Sequence, residues 1–412
     1  MRVSADTGPT FYPAFPLPWW DHGTLPSLRG MIRNSITRAP MGHRWWHNDP
    51  DCLMLGSTTK LTLEEVASSA SIVALTCGML LLSDDLTKVS PARMRILTKI
   101  FPMTGVSAVV LDLHSIEDSH GLPTMLRLWC TDVASKRDEY RRAKSEGSAR
   151  SSDNDDRDHN EEAGYFGRRA SFCPTGLPVH PNERQRSCIH VTKGLGTWTI
   201  LSLSNWLDNP AVVHIPPMAL APPPEAAVFD AEYGYHVFSF WSSKYSWIAG
   251  TPEYPEDGHE HDANGEKHQP STKSPSSTGS RPLVSKHLGP HETEIFHIKP
   301  VTPNRPQYIG SDIHFSCGHE VDLFHCGKNL LTIQLSTDYK RAGHIFVFLP
   351  VVNTGQVKAT CAGEPALWTI VGNTPQLGDQ RSPTRLLGRV LQIAVTIEAN
   401  GRDQDGRVML EF

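Results

Sequence analysis

Apolar residues in the first hundred positions recur at the spacing of amphipathic helices. Within 25–36 they recur every three or four positions, which predicts a helix over that segment. Thr62 is followed three residues later by Glu65, a capping-box pair that opens a second helix. Pro91 suits the first turn of a third helix, which continues to Ile100. Apolar runs that alternate with helices in this way predict an α/β layer.

From about Val106 onward the hydrophobic period changes to two. Short runs rich in β-branched and aromatic residues are separated by Gly, Pro and Asn, which predicts an all-β sandwich. The predicted strands are 106–113, 126–129, 198–203, 236–240, 294–298, 313–315, 330–335, 345–349 and 390–397. Two polar stretches, at about 136–172 and 252–282, have the composition of disordered insertions.

Composition and charge exclude several classes of protein. Of the 412 residues, 39% are hydrophobic and 20% are charged, as in ordinary globular proteins, and the formal net charge is −5. There is no basic surplus to neutralise a phosphate backbone, which counts against a nucleic-acid partner. The longest apolar stretch, 72–82, contains Thr, Cys and Gly and is too short to span a membrane.

The cysteines and the first residues bear on the cellular setting. Eight cysteines are scattered without short repeating intervals, so we expect buried thiols rather than a disulfide scaffold. The first six residues lack the apolar segment of a secretory signal. A reduced, cytoplasmic setting is therefore the expectation.

The densest candidate chemistry lies in the run 44–53, Arg-Trp-Trp-His-Asn-Asp-Pro-Asp-Cys-Leu. Two Trp rings offer flat apolar faces, while the Asn and two Asp side chains offer hydrogen-bond acceptors, and sugars require that mixture. The alternative is a proline-containing loop with buried Trp side chains. The residues alone leave both interpretations open.

A second candidate is the pair Arg2 and Asp6. A carboxylate with a cation four residues away, at the end of a β-like run, suits a general acid of tuned pKa. The alternative is that the two side chains are only neighbours on the surface.

A third candidate, for zinc, is the group Cys317, His319, His325 and Cys326. These side chains are able to bind zinc, but their spacing is not that of a zinc finger and the segment resembles strands. The sequence also has no Gly-rich phosphate loop and no Gly-x-Ser-x-Gly elbow. We therefore expect neither a metal nor another cofactor.

Four runs, in order and at matching intervals, resemble the melibiase-type α-galactosidases of glycoside hydrolase family 36 and its relatives. They are 2–6 (Arg-Val-Ser-Ala-Asp), 27–38, 44–52 with its Asn-Asp-Pro-Asp, and 80–86 (Leu-Leu-Leu-Ser-Asp-Asp-Leu). Segments 198–206, 229–245 and 288–315 resemble the terminal β-sandwich of that family. The resemblance covers most of the chain except the two insertions.

The resemblance implies a fold of class α/β plus all-β. Residues 1–102 would be the C-terminal portion of a TIM (β/α)₈ barrel, and 103–412 an antiparallel β-sandwich domain carrying the insertions. Because a complete barrel takes about 250 residues, the resemblance predicts an N-terminally truncated family member.

The resemblance also implies a retaining mechanism with two carboxyl groups. Asp6 matches the acid/base and Arg2 the neighbouring arginine that binds substrate hydroxyls. Asp51 and Cys52 match a loop that lines the galactose pocket, and Trp46 completes the predicted substrate-binding set. The family's nucleophile belongs to an upstream Lys-x-Asp strand motif, and the first hundred residues contain no such triplet.

The implied function is hydrolysis of terminal α-galactosyl residues in oligosaccharides of the melibiose and raffinose type. Without the nucleophile strand, the chain is expected to be inactive alone. Two alternatives stay open: a galactosyltransferase of the raffinose-synthase type, and a non-catalytic carbohydrate-binding or scaffold protein. The expected partner is an α-galactoside oligosaccharide, with a second copy of the chain as a further candidate.

Overall fold

The computed structural model describes most of the chain in separate ranges. These are 1–4, 6–13, 25–42, 44–76, 78–114, 122–132, 188–191, 193–221, 232–249, 283–350, 357–376, 385–399 and 406–412. The insertions predicted at 136–172 and 252–282 lie outside the described residues.

Three α-helices lie where the apolar spacing predicts them. They are α1 (Leu28–Arg38), α2 (Leu63–Thr76) and α3 (Pro91–Ile100). Helix α1 begins later than predicted because Ser27 caps it: the Ser27 hydroxyl accepts a hydrogen bond from the Gly30 N–H at 3.0 Å. No helix in the described ranges is long and apolar enough to cross a bilayer.

The capping box predicted for α2 is confirmed. The Thr62 hydroxyl accepts from the Glu65 backbone N–H at 3.2 Å, and the Glu65 carboxylate accepts from the Thr62 N–H at 2.8 Å. Each partner therefore satisfies a backbone donor that the helix itself leaves unpaired.

Thr62→Ala is expected to lower the free energy of unfolding by about 1 kcal/mol, because the Glu65 N–H loses its acceptor. Urea denaturation followed by circular dichroism measures the change. Thr58→Ala, at an exposed turn position just before α2, is the matched control and should change stability by less than about 0.5 kcal/mol. Equal losses in both variants would show that the cap does not stabilise the helix.

The parallel part of the fold is smaller than expected. Strands β1 (Cys52–Leu53) and β2 (Leu81–Leu82) pair in parallel, with Cys52 opposite Leu81 and Leu53 opposite Leu82. A TIM barrel closes eight parallel strands into a ring. Within the described part of residues 1–102, two parallel strands and three helices are present, so the predicted barrel portion is not observed.

Beyond α3 the described chain is built mainly of strands. They are β3 (Val109–Val110), β4 (Met125–Asp132), β5 (Cys188–Val191), β6 (Trp198–Ser204), β7 (Ala211–Ile215), β8 (Tyr235–Ser239), β9 (Lys244–Ile248), β10 (Val284–Leu288), β11 (Thr293–Pro300), β12 (Gln307–Ser311), β13 (Val321–Cys326), β14 (Leu330–Leu335), β15 (Arg341–Pro350), β16 (Lys358–Cys361), β17 (Glu364–Pro365), β18 (Trp368–Gln376), β19 (Arg385–Ile397) and β20 (Arg407–Glu411). The change of hydrophobic period near Val106 therefore marks the change from helices to strands.

The strands beyond β2 form three larger sheets and one separate antiparallel pair. The first sheet has the order β3-β4-β6-β11-β8-β9 with β5 beside β4, the second β12-β15-β19-β18, and the third β13-β14-β20-β16-β17. Strands β7 and β10 pair separately. All pairings in these sheets are antiparallel except that of β4 with β5, which is parallel and departs from the prediction.

Aromatic side chains join the sheets. The rings of Phe238 on β8 and Phe346 on β15 lie 4.5 Å apart, and Tyr308 on β12 meets Phe324 on β13 at 6.4 Å. The close approach of β12 to β8 also requires glycine at position 310, because a Cβ on Gly310 would lie 2.7 Å from the Phe238 ring. These contacts bury the inner faces of the sheets against one another, as in a sandwich.

Two predicted strands differ from the structure. Only Val109–Val110 of the segment 106–113 is a strand, and 313–315 is a turn. In this turn the Ile313 N–H donates to the Ser311 hydroxyl, and the buried His314 ring contacts the Pro102 carbonyl at 2.9 Å. Ile313 and Phe315 are buried at the junction with the helices, so their apolar character reflects this burial and not a sheet period.

The helical layer and the first sheet share one hydrophobic core, which contains buried side chains from α1, α2 and β11. Polar contacts cross the same junction. The Trp241 indole donates to the Ser71 hydroxyl at 2.9 Å, and Arg341 on β15 donates to the carbonyl of Phe101, the residue after α3, at 2.5 Å. The helical layer is therefore attached to the sandwich by both apolar and polar contacts.

Candidate active site

Backbone pairing brings the first residues onto the loop that precedes β1. The Val3 N–H donates to the Asp49 carbonyl at 3.0 Å, and the Asp49 N–H donates to the Met1 carbonyl at 2.9 Å. Arg2 and Asp49 thus form a parallel bridge. This register places the Arg2 side chain over the loop of Asp49 and Asp51.

One guanidinium meets three carboxylates here. Arg2 Nη1 lies 3.4 Å from Asp6 Oδ1, Arg2 Nε lies 4.0 Å from Asp49 Oδ2, and Arg2 Nη2 forms an ion pair with Asp51 Oδ1. We call these four residues the Arg2 cluster. The sequence-predicted residues Arg2, Asp6 and Asp51 therefore lie together, while the catalytic and binding roles assigned to them stay predictions.

Asp51 is the fixed charge of the Arg2 cluster. It is buried, its φ is 75°, and its Oδ2 accepts a hydrogen bond from the Thr7 N–H at 2.7 Å. Burial alone would raise the pKa of Asp51, but the bonds from the Thr7 N–H, Arg2 and the Cys52 N–H outweigh burial and lower it. Asp51 is therefore ionised at neutral pH and has both oxygens occupied.

Asp6 is the accessible carboxylate of the Arg2 cluster. Its side chain is 74% exposed, against 22% for Asp49 and 12% for Asp51. An exposed ion pair at 3.4 Å adds little to stability. Asp6 is therefore the member of the cluster that is able to meet a ligand and exchange a proton with it.

The two Trp side chains differ in their surroundings. The Trp46 indole donates to Asn48 Oδ1 at 2.9 Å, and the buried Asn48 amide in turn donates to the Arg38 carbonyl at 3.0 Å. Trp45 is 74% exposed, and its ring lies 5.7 Å from that of Trp46. Trp46 is thus anchored to α1 through Asn48, whereas Trp45 presents the open face.

Cys52 begins β1 directly after Asp51 and is half-buried. Burial raises the pKa of the Cys52 thiol, so the group is protonated at neutral pH. A protonated thiol is a poor nucleophile. Cys52 is therefore suited to packing beside the Arg2 cluster rather than to covalent catalysis.

Sequence reasoning did not single out Thr7, Ser4 or Asn34 as site residues. The Asn34 amide donates to the Ser4 hydroxyl at 3.3 Å, and Arg38 donates to Asn34 Oδ1 at 2.5 Å. The spacing of Asn34 and Arg38, four residues apart on α1, was the available signal. The contribution of Thr7 is a backbone N–H, for which a sequence has no signal.

The four zinc candidates do not converge. Cys317 is buried, with its sulfur 3.4 Å from His297 Nδ1, while Cys326 and His325 lie on β13. Burial raises the pKa of the Cys317 thiol well above its ordinary value, which disfavours the metal-binding thiolate. Throughout the described ranges, no three His, Cys, Asp or Glu side chains are placed to hold a metal ion.

No family model matches the sequence. Among solved structures, the chain is similar to α-galactosidase I from Mortierella vinacea, with 12% identity, coverage of 73% of this chain and 52% of that chain, and a TM-score of 0.36. It is also similar to the α-galactosidase from Saccharomyces cerevisiae, with 12% identity, coverage of 73% of this chain and 59% of that chain, and a TM-score of 0.36. A third similar structure is a GH27 β-L-arabinopyranosidase from Geobacillus stearothermophilus, with 9% identity, coverage of 67% of this chain and 42% of that chain, and a TM-score of 0.34.

The chain thus spans about half the length of the solved structures that it matches. Those structures are glycoside hydrolases, and several of them are α-galactosidases. At these identities and TM-scores, the comparisons do not assign the chain to glycoside hydrolase family 36 or give its activity.

Proposed function

We propose that the Arg2 cluster binds a terminal α-galactosyl residue and that it is part of a retaining, α-galactosidase-type site. One observation carries the proposal: a single guanidinium orients three carboxylates, of which Asp6 alone is largely exposed. Charged side chains that are held in a fixed geometry, with one carboxylate open to solvent, are able to hydrogen-bond a ligand with several hydroxyls. The order of the sequence motifs supports the same class of ligand.

In this proposal Asp6 is the acid/base. It protonates the glycosidic oxygen as the bond to the anomeric carbon breaks, and it later removes a proton from the attacking water. Arg2 fixes the Asp6 carboxylate from one side and donates to sugar hydroxyls with its remaining N–H groups. Asp51 holds Arg2 in position and so acts through it.

A retaining reaction also needs a nucleophilic carboxylate about 5–5.5 Å from the acid/base. Asp51 does not suit that role, because Arg2 and the Thr7 N–H occupy its two oxygens. This observation favours a second candidate function, non-catalytic recognition of galactosides by the same cluster. In both cases the Arg2 cluster binds the sugar.

Isothermal titration with methyl α-D-galactopyranoside tests the binding that both candidates require. Methyl α-D-glucopyranoside, which differs only in the configuration of one hydroxyl, is the matched control ligand. We expect measurable binding of the galactoside and weaker binding of the glucoside. Equal binding of the two sugars, or no binding of either, would refute the proposal.

Turnover of aryl α-galactosides tests the assignment of Asp6 as the acid/base. We expect negligible turnover by the chain alone, and any residual rate should fall about 100-fold or more in Asp6→Asn with a poor leaving group that needs protonation. A dinitrophenyl leaving group, which departs without protonation, should be affected least. Asp322→Asn, at an exposed position on β13, is the control and should leave the rate unchanged. Strong turnover that does not depend on Asp6 would contradict the assignment of the acid/base.

A further inference from the structure

A buried histidine lies between two carboxylates at the junction of the helices and the first sheet. His291 is in the turn between β10 and β11 and has a φ of 54°. Its Nδ1 lies 2.8 Å from Glu65 Oε1 on α2, and its Nε2 lies 3.0 Å from Asp208 Oδ1 in the turn after β6. The ring therefore connects the helical layer to two turns of the sandwich.

Each ring nitrogen of His291 contacts one carboxylate oxygen. Burial alone would raise the pKa of Glu65, but the bonds from His291 and the Thr62 N–H lower it, so Glu65 is ionised at neutral pH. An ionised carboxylate only accepts hydrogen bonds. The Glu65 carboxylate therefore accepts a hydrogen bond from His291 Nδ1, which fixes the orientation of the ring.

The same ring holds the segment of the chain that follows Asp6. Phe11 stacks on His291 with ring centroids 3.5 Å apart and ring planes 7° apart. The next residue, Tyr12, donates its hydroxyl proton to Asp208 Oδ1 at 3.0 Å. Phe11 therefore contacts the His291 ring itself, and Tyr12 contacts the Asp208 carboxylate that His291 also contacts.

The opposite end of this segment is attached to the Arg2 cluster. The Thr7 N–H donates to Asp51, and the Pro9 carbonyl accepts from the Lys60 N–H at 2.8 Å. Between these contacts, Gly8 lies so close to the Pro26 carbonyl that a Cβ would approach it to 2.6 Å. The segment is therefore held from Thr7 to Tyr12, with little freedom to shift at one end alone.

We infer that His291 is a positioning residue for Asp6: by holding Phe11 and Tyr12 on the sandwich, it fixes the segment that presents Asp6 beside Arg2. The inference rests on the proposed function for the importance of Asp6 to sugar binding. The positioning itself is a property of the segment and is measured without a ligand.

Hydrogen–deuterium exchange of the whole chain tests the positioning. In His291→Gln, which loses the aromatic ring and one of the two nitrogen–carboxylate contacts, the amides of residues 6–12 should exchange about tenfold faster or more, while those of α3 keep their rates. Phe11→Leu, which keeps both carboxylate contacts but loses the stacking, should give the same pattern and serves as the second variant if His291→Gln fails to fold. His344→Gln is the matched control, because His344 Nδ1 also lies 3.0 Å from a carboxylate, that of Asp312, on a different part of the sandwich.

A binding measurement separates positioning from a purely structural role. In the variants, binding of methyl α-D-galactopyranoside should weaken about tenfold, because a small displacement of an aligned group is costly. Unchanged exchange at residues 6–12 in both variants would overturn the inference. Failure of the wild-type chain to bind the galactoside would instead overturn the proposed function, and the exchange data would still decide the positioning.

Discussion

Arg2→Met is expected to weaken binding of methyl α-D-galactopyranoside by about 10- to 100-fold, because the variant loses charge-assisted hydrogen bonds to the ligand and to the carboxylates that orient it. In the wild type, one guanidinium faces Asp6, Asp49 and Asp51. Methionine retains most of the side-chain volume but leaves three neighbouring carboxylates without a cation. Isothermal titration at fixed ionic strength measures the loss.

The same variant is expected to change how stability depends on pH. In the wild type the pKa of Asp51 is lowered, so its contribution to stability is fully present above the unfolded value of about 3.9 and is lost as the pH falls through the lower native value. In Arg2→Met, only the backbone N–H groups of Thr7 and Cys52 still oppose the effect of burial on Asp51. The pKa of Asp51 is therefore higher in the variant than in the wild type. The stability advantage of wild type over Arg2→Met should therefore be largest at neutral pH and shrink below about pH 4.

Lys88→Met is the matched control for this prediction. Lys88 and Asp85 form an ion pair at 2.9 Å between exposed side chains, outside the Arg2 cluster. We expect no measurable change in galactoside binding or in the pH dependence of the urea midpoint. If Lys88→Met and Arg2→Met behave alike, the Arg2 cluster is an ordinary surface ion pair.

Phe346→Ala is expected to lower the free energy of unfolding by about 3–5 kcal/mol, because it opens a cavity where two sheets meet. Phe346 is 1% exposed and packs against Phe238 at 4.5 Å between ring centroids. It lies on β15, which has a neighbouring strand on each side in the second sheet. Urea denaturation of the purified variant at neutral pH measures the loss.

Leu367→Ala is the matched control, since Leu367 is a large apolar residue of the same sandwich that is 83% exposed. We expect its effect to stay within about 0.5 kcal/mol. A loss below about 1 kcal/mol for Phe346→Ala would mean that the two sheets do not depend on this ring contact.

Local patterns in the sequence predicted the helices well, because the interactions that start a helix span only a few residues. Thr62 and Glu65 are three positions apart and cap α2 as expected. The change of hydrophobic period near Val106 also reflects a local property, the alternation of side chains along a strand. Segment 313–315 was predicted wrongly because a turn that is buried at a junction also holds apolar residues, here Ile313 and Phe315.

The predicted barrel portion is not observed in the described residues, for a different reason. The motifs that suggested it describe short βα segments, and such segments do not specify how many strands pair around them. In the described residues, β1 pairs with β2 alone, and the helices pack on an antiparallel sheet that begins after residue 108. The number and direction of neighbouring strands depend on the whole chain.

The sequence by itself determined the helix positions, seven of the twenty described strands and the residue types of the candidate site, because these follow from spacing along the chain. Only the tertiary structure decided which carboxylate of the Arg2 cluster is open to solvent and which is fixed by hydrogen bonds. Asp51 is buried and bonded to the N–H of Thr7, 44 residues away, whereas Asp6 reaches solvent. The contact of His291 with Glu65 joins residues 226 positions apart. Such contacts depend on the packing of distant segments, and no local pattern encodes them.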